Sequence, residues 1–161
     1  MPTVYIETSI ISYLRQRPSG QVVTAARQLL THQWWDHERG KYDLVTSQYV
    51  IDEARAGDPV LARQRLEALD GLPLLEIGPE TDAIAEAIMA QAILPQKAQL
   101  DALHIAVTAN NRVDYLLTWN CTHIANARIL PRIHSVLVEQ NCFVPIICTP
   151  EEMVDDVAGQ Y

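Results

Sequence analysis

The N-terminal stretch VYIETSIISYL, residues 4 to 14, carries the pattern that decides the fold. Its first residues, Val4 to Ile6, form an apolar run that is typical of a short buried strand. Glu7 follows directly, and Thr8 and Ser9, either of which can cap a helix, lead into a second apolar segment. The stretch therefore predicts a strand that passes through an acid into a helix.

The same alternation of strands and helices continues along the chain. Short apolar runs predict strands at residues 3–7, 42–47, 72–77, 114–119 and 144–149. Apolar spacing and capping residues predict helices at 21–39, 47–57, 59–70, 79–94, 98–111 and 124–140, with a last helix beginning at Pro150. This order predicts an α/β fold of the Rossmann-like type, with a central parallel sheet of about five strands flanked by helices. Because the linkers are short, we expect a single domain over residues 1–161.

Length and composition favour a soluble, cytoplasmic protein. The 161 residues suffice for one domain with a hydrophobic core, and 48% of them are apolar. No apolar run approaches the roughly 20 residues that span a bilayer, and the N-terminus lacks the pattern of a signal peptide. Cys121, Cys142 and Cys148 form no CxxC motif and leave one thiol unpaired, which fits a reducing compartment. We therefore expect no association with a membrane.

The charge balance restricts the class of partner. The formal net charge is −8, whereas proteins that bind nucleic acid through its phosphates usually present a basic surface. A nucleic-acid partner is therefore disfavoured unless bound cations neutralise a cluster of acids.

Polar side chains follow the predicted strands or lie in the helices after them. Glu7 and Asn120 come directly after strands, Glu53 lies in a helix that follows a strand, and Asp101 lies in the first turn of an apolar helix. In open parallel sheets, ligands bind just outside the carboxyl ends of the strands. We therefore expect these four side chains to share one edge of the sheet.

Each acid also has a purely structural interpretation. Glu7 suits a cap or turn, Glu53 suits an exposed position on a short helix, and Asp101 suits the positive end of a helix dipole. Taken together, clustered carboxylates repel one another, and a carboxylate near a core is costly unless it is paired. The two lysines, Lys41 and Lys97, lie outside the elements that carry the acids. The set therefore favours a hard divalent cation, Mg²⁺ or Mn²⁺, held by oxygen ligands.

Longer motifs around these acids resemble the PIN domain family, and specifically its VapC-like toxin group from type II toxin–antitoxin systems. The matching stretches are YIETSIISYL (5–14), TSQYVIDEA (46–54), LDALHIAVTANNRVDYLLTWN (100–120), HIAN (123–126) and VPIICTPEEM (144–153). Together they extend over nearly the whole chain, and the 100–120 helix and strand are the most specific part.

The resemblance implies a metal-dependent ribonuclease that hydrolyses RNA phosphodiester bonds. The family's acidic positions fall on Glu7, Glu53, Asp101 and Asn120, of which Glu7, Glu53 and Asp101 would hold the metal. Two of these positions depart from the family pattern: Glu7 replaces the usual Asp and is longer, and Asn120 replaces an acid and is neutral. Because Asn120 is neutral, we expect one metal ion to bind firmly and a second only with help from the substrate phosphate.

Other residues are candidates for supporting roles. The hydroxyls of Thr8, Ser9 and Thr118 either orient the acids or a water molecule, or cap local structure. His104 is either a structural histidine or a general base, and His123 lies after Asn120, where substrate would pass. The candidates for contacts with RNA phosphates are Arg15, Arg17, Arg55 and Lys97.

The toxin resemblance also implies partners, namely an RNA substrate, a small antitoxin protein and a second copy of the chain in a homodimer. A phosphoacceptor receiver is disfavoured because the first strand ends on a single acid and no lysine follows residue 97. A haloacid-dehalogenase-type phosphatase is disfavoured because Glu7-Thr8-Ser9 lacks the required pair of aspartates. The remaining alternative is a catalytically degenerate PIN fold that binds RNA or a protein without cleavage, as the neutral Asn120 suggests.

Overall fold

A sheet of four parallel strands forms the centre of the computed structural model, which describes residues 1–155. The strands are β1 (Thr3–Ile6), β2 (Asp43–Val45), β3 (Tyr115–Leu117) and β4 (Ile146–Cys148). Their order across the sheet is β2-β1-β3-β4, with Tyr5 of β1 opposite Val45 on one side and Leu116 on the other. The side chains of β1 from Val4 to Ile6 are fully buried, as expected for a central strand of a parallel sheet.

Seven α-helices surround this sheet in the described part of the chain. They are α1 (Thr8–Arg15), α2 (Val22–Gln33), α3 (Gln48–Ala54), α4 (Pro59–Leu69), α5 (Pro79–Ala90), α6 (Gln99–Asn110) and α7 (Leu130–Glu139). Short 3₁₀ turns span Arg39–Lys41, Gln96–Ala98 and Pro150–Met153, and a π-helical turn spans Trp34–Glu38. The α/β class predicted from the sequence is confirmed.

The prediction of about five strands is wrong within the described residues. The predicted strand 72–77 forms only an isolated parallel bridge between Thr46 and Leu74. Pro73 has no N–H to donate, and Leu74 and Ile77 remain exposed, so the segment has neither the hydrogen bonds nor the burial that would extend the bridge.

Three predicted helices have clearly different bounds, and one of them, predicted at 79–94, ends at Ala90. The helix predicted at 21–39 ends at Gln33, because the following π turn buries both Trp34 and Trp35, whereas adjacent residues of a regular α-helix point about 100° apart. The helix predicted at 124–140 begins only at Leu130.

Helix α7 starts later than predicted because two asparagines, Asn120 and Asn126, accept local hydrogen bonds in the segment before it. The carbonyl of Asn120 accepts hydrogen bonds from the N–H groups of Ile124 and Ala125, and the Asn126 side chain accepts one from Arg128. Such local bonds compete with helical pairing and produce turns. The helix predicted from Pro150 is a 3₁₀ turn that ends at Met153, because Val154 is extended, and any part of that prediction beyond Asp155 lies outside the described residues.

The topology fixes where a site can form. From β1 the chain passes through α1 and α2 to β2 on one side, and later returns to β3 on the other side of β1. The connections therefore diverge at the carboxyl end of β1, which creates a crevice between β1 and β3. Among residues 1–155, no helix combines the length and apolar character needed to cross a membrane.

Candidate metal centre

Glu7 lies at the carboxyl end of β1 and is 95% buried, since only 5% of its surface is exposed. Its Oε2 accepts a hydrogen bond from the backbone N–H of Ser9 at 2.8 Å, which makes Glu7 the N-cap of α1. Its Oε1 accepts hydrogen bonds from the hydroxyls of Ser9, at 2.6 Å, and Thr118. The expectation that Thr8 or Ser9 caps the helix is therefore wrong, and both Ser9 and Thr118 orient the acid.

Glu53 lies at the end of α3, with its side chain 32% exposed. Its Oε1 accepts a hydrogen bond from the Thr8 hydroxyl at 2.6 Å and lies 2.6 Å from Nε2 of His104. Burial would raise the pKa of Glu53, but the hydrogen bond and charge of His104, together with the Thr8 hydroxyl, outweigh burial and lower it. The geometry therefore favours a negatively charged Glu53.

A buried chain of hydrogen bonds holds His104 in place. Nδ1 of His104 lies 2.7 Å from the hydroxyl of Tyr5, which in turn lies 2.7 Å from Oγ of Ser47. Burial of His104 would lower its pKa, but the hydrogen bond to Glu53 and the nearby carboxylates outweigh it and raise the pKa. Because both ring nitrogens have partners inside the protein, His104 orients Glu53 and has no free lone pair for a metal ion.

Asp101 occupies the first turn of α6 and is oriented by two side chains that follow β3. Its Oδ1 accepts a hydrogen bond from Nδ2 of Asn120 at 3.1 Å, and its Oδ2 lies 3.0 Å from Nδ1 of His123. The amide oxygen of Asn120 accepts the backbone N–H of His123 at 2.9 Å, which fixes the orientation of the amide. Burial raises the pKa of Asp101 despite the opposing effects of His123 and His104.

These groups converge on the crevice beside β1. One ligating atom from each of Glu7, Glu53 and His104 lies within 4.8 Å of the other two. Asp101 lies close enough for its charge to raise the pKa of His104. The three acids and Asn120 thus share the edge of the sheet predicted from the parallel topology.

The donor chemistry of this cluster fits a hard divalent cation. Glu7, Glu53 and Asp101 supply carboxylate oxygens, and Oε2 of Glu53 has no hydrogen-bond partner among the described residues. Carboxylate oxygens are the ligands that Mg²⁺ and Mn²⁺ prefer. Burial raises the pKa of Asp101, and a bound cation would oppose that effect.

The residues predicted to contact RNA lie on different elements of the fold. Arg15 and Arg17 lie at or beyond the end of α1, about 10 Å along the helix from Thr8. Arg55 pairs with Asp52 at 3.8 Å, with both side chains mostly exposed. Lys97 is exposed in the turn before α6 and is the member of this set nearest in sequence to Asp101.

Sequence reasoning missed Tyr5, Ser47 and Arg27. In the sequence, Tyr5 is an ordinary strand residue and Ser47 lies at the start of a helix. Only the fold places the Tyr5 hydroxyl against His104 and the Ser47 hydroxyl against that of Tyr5. Arg27 lies in α2, which carries none of the acids, but its guanidinium lies over Trp119 beside Asn120. The apolar run of β1 gives no signal for the buried hydroxyl of Tyr5.

Comparisons of the chain with protein-family models, with curated proteins and with solved structures give no match. A function for this site is therefore argued from its geometry and chemistry.

Proposed function

We propose that this protein is a metal-dependent endoribonuclease of the PIN type, resembling the VapC-like toxins, with Mg²⁺ or Mn²⁺ held by Glu7, Glu53 and Asp101. The observation that supports this most strongly is the pair of carboxylates, Glu7 and Glu53, whose oxygen atoms lie within 4.8 Å of each other at the crevice between β1 and β3. Asp101 adds a third carboxylate, close enough for the charge of Glu53 to raise its pKa. The oxygen-rich set favours a hard cation over the softer metals that prefer thiolate ligands.

The bound cation would stabilise negative charge on a phosphodiester and lower the pKa of a water molecule. The chain's own groups prepare the pocket for it. The hydroxyls of Ser9 and Thr118 fix the position of the Glu7 carboxylate. His104, itself held by Tyr5, fixes the position of the Glu53 carboxylate. Preorganised groups of this kind need no rearrangement when substrate binds.

The cation also reconciles the proposal with the net charge of −8. Without a cation, the pocket would repel RNA, whereas a bound dication offsets two of its three formal carboxylate charges. The proposal includes the partners implied by the toxin resemblance, namely a small antitoxin and a second copy of the chain.

Cleavage of end-labelled single-stranded RNA tests the proposal. We expect cleavage in Mn²⁺ or Mg²⁺ and none in EDTA. The cleavage rate should fall on the order of 100-fold in Glu53→Gln and in Asp101→Ala, because each variant removes a preorganised charge. Asp52→Asn is the matched control, since it removes a carboxylate from an exposed position next to Glu53.

Equal activity in EDTA, in Asp101→Ala and in the unmodified chain would identify a contaminating nuclease and contradict the proposal. RNA binding without cleavage under any metal condition would instead support the degenerate fold. The neutral Asn120, whose amide is occupied by Asp101 and His123, is the observation that favours this second function.

A further inference from the structure

Arg27 of α2 is held against an aromatic surface at the edge of the candidate metal centre. The central carbon of its guanidinium lies 5.3 Å from the centroid of the Trp119 ring. Nη1 lies 3.5 Å from the hydroxyl of Tyr13, and Nη2 lies 3.9 Å from Sγ of Cys121. Stacking of an arginine on an aromatic ring restricts its side chain and leaves most of its N–H donors free.

The aromatic surface is itself rigidly connected to the acids. The backbone N–H of Trp119 donates to Oγ of Ser9 at 2.7 Å, and its indole N–H donates to Thr31 at 2.7 Å. The same Ser9 hydroxyl donates to Glu7. Since Trp119 stands between Thr118 and Asn120, Arg27 lies beside the residues that orient the candidate ligands.

Arg27 has no carboxylate within ion-pair distance among residues 1–155. Acids outnumber lysines and arginines 20 to 12 in this chain. A guanidinium that lies over Trp119 without an ion pair among residues 1–155 therefore requires an explanation. A guanidinium presents a planar set of donors that matches the oxygens of a phosphate.

We propose that Arg27 binds a backbone phosphate of single-stranded RNA beside the candidate metal centre. The aromatic pair Trp119 and Tyr13, whose rings meet edge to face with centroids 6.1 Å apart, holds the guanidinium ready for this contact. The inference rests on the proposed function, since it takes RNA as the substrate. It assigns the main phosphate contact to α2 instead of the ends of α1 and α3.

Equilibrium binding of a fluorescently labelled single-stranded oligoribonucleotide, measured by anisotropy in Ca²⁺ at several KCl concentrations, tests this assignment. We expect Arg27→Gln to weaken binding about tenfold or more, because it removes a charged hydrogen-bond donor. The slope of log affinity against log salt should fall by about 0.7, the value for one lost phosphate contact on a single strand. Gel analysis of the RNA after each titration verifies that it is intact.

Two further variants separate a phosphate contact from a structural role. Arg27→Lys keeps the charge, so it should keep the salt slope and recover part of the affinity. Arg112→Gln is the matched control, because Arg112 lies over the Phe143 ring at the same 5.3 Å but between α6 and β3, at the opposite edge of the sheet. We expect it to bind RNA like the unmodified chain.

Three results would overturn the assignment: a salt slope for Arg27→Gln equal to that of Arg112→Gln, an Arg27→Lys variant as weak as Arg27→Gln, or no RNA binding by the unmodified chain. Cleavage in Mn²⁺ is measured in parallel to separate the two proposals. Reduced binding by Arg27→Gln with no cleavage by any variant would support the phosphate contact and contradict the nuclease. Metal-dependent cleavage with unchanged binding by Arg27→Gln would support the nuclease and contradict the phosphate contact.

Discussion

At the scale of single residues, hydroxyl groups hold the carboxylates of Glu7 and Glu53. Ser9 and Thr118 donate to Glu7, Thr8 donates to Glu53, and Tyr5 fixes the histidine behind Glu53. Neutral donors of this type orient a carboxylate while leaving its negative charge available to a cation. This arrangement explains how buried acids persist in a chain whose lysines lie elsewhere.

The Tyr5 hydroxyl gives a prediction about stability. Tyr5→Phe leaves Nδ1 of His104 and Oγ of Ser47 without their shared partner in the core, so the free energy of unfolding should fall by about 1–3 kcal/mol. Urea denaturation of the metal-free protein measures this change. Tyr115→Phe is the control, because the Tyr115 hydroxyl makes no hydrogen bond within the described residues and should cost little. Equal losses in the two variants would contradict the importance of the network.

At the scale of elements, the helices end where side chains or backbone angles force a turn. Helix α5 ends at Ala90, and Ala92 then adopts a φ of 51°, in the left-handed region. Its N–H donates to the carbonyl of Met89 at 3.1 Å, which closes the end of the helix. Glycine is the usual residue at such a position because a Cβ atom is strained there.

Ala92→Gly should therefore raise the free energy of unfolding by roughly 0.5–1 kcal/mol, since the relief of strain exceeds the added freedom of the unfolded chain. Ala83→Gly is the contrasting control. Ala83 is exposed inside α5, where glycine should cost about 1 kcal/mol. Urea denaturation compares the two, and a loss of stability in both variants would show that Ala92 is unstrained in solution.

At the scale of the whole molecule, metal binding and net charge are coupled. The pocket carries three formal carboxylate charges in a chain of net charge −8, and Asn120 contributes none. Calorimetric titration of Mn²⁺ into metal-free protein should therefore show one tight site. Two tight sites in the absence of RNA would contradict this prediction.

Asn120→Asp tests the reason for that stoichiometry. The variant removes an N–H donor from Asp101 and adds a fourth carboxylate, so Mn²⁺ should bind more tightly than to the unmodified chain. Asn110→Asp adds the same charge at an exposed position at the end of α6 and should leave the affinity unchanged. Equal increases in both variants would indicate a general effect of net charge.

The sequence predicts the α/β class, the positions of β1 to β4 and the edge on which the acids meet, because apolar periodicity and parallel topology are local and regular signals. It wrongly predicts a strand around Leu74, because the apolar residues of this segment do not reveal that Leu74 and Ile77 stay exposed. It also misses Tyr5 and Arg27, since their roles depend on contacts with residues 99 and 92 positions away along the chain. Long-range pairing of this kind leaves no period in the sequence.

Glu7 is both the N-cap of α1 and a candidate metal ligand, which affects the choice of variant for preparing an RNA complex. Glu7 both begins α1 and faces the crevice, so replacing it would alter the helix start and the pocket together. Among residues 1–155, the hydrogen bonds to the Asp101 carboxylate come from the side chains of Asn120 and His123, so replacing Asp101 removes no hydrogen bond to the backbone. Under the proposed function, crystallisation with intact RNA and high-level expression of the chain are therefore better attempted with an Asp101 variant.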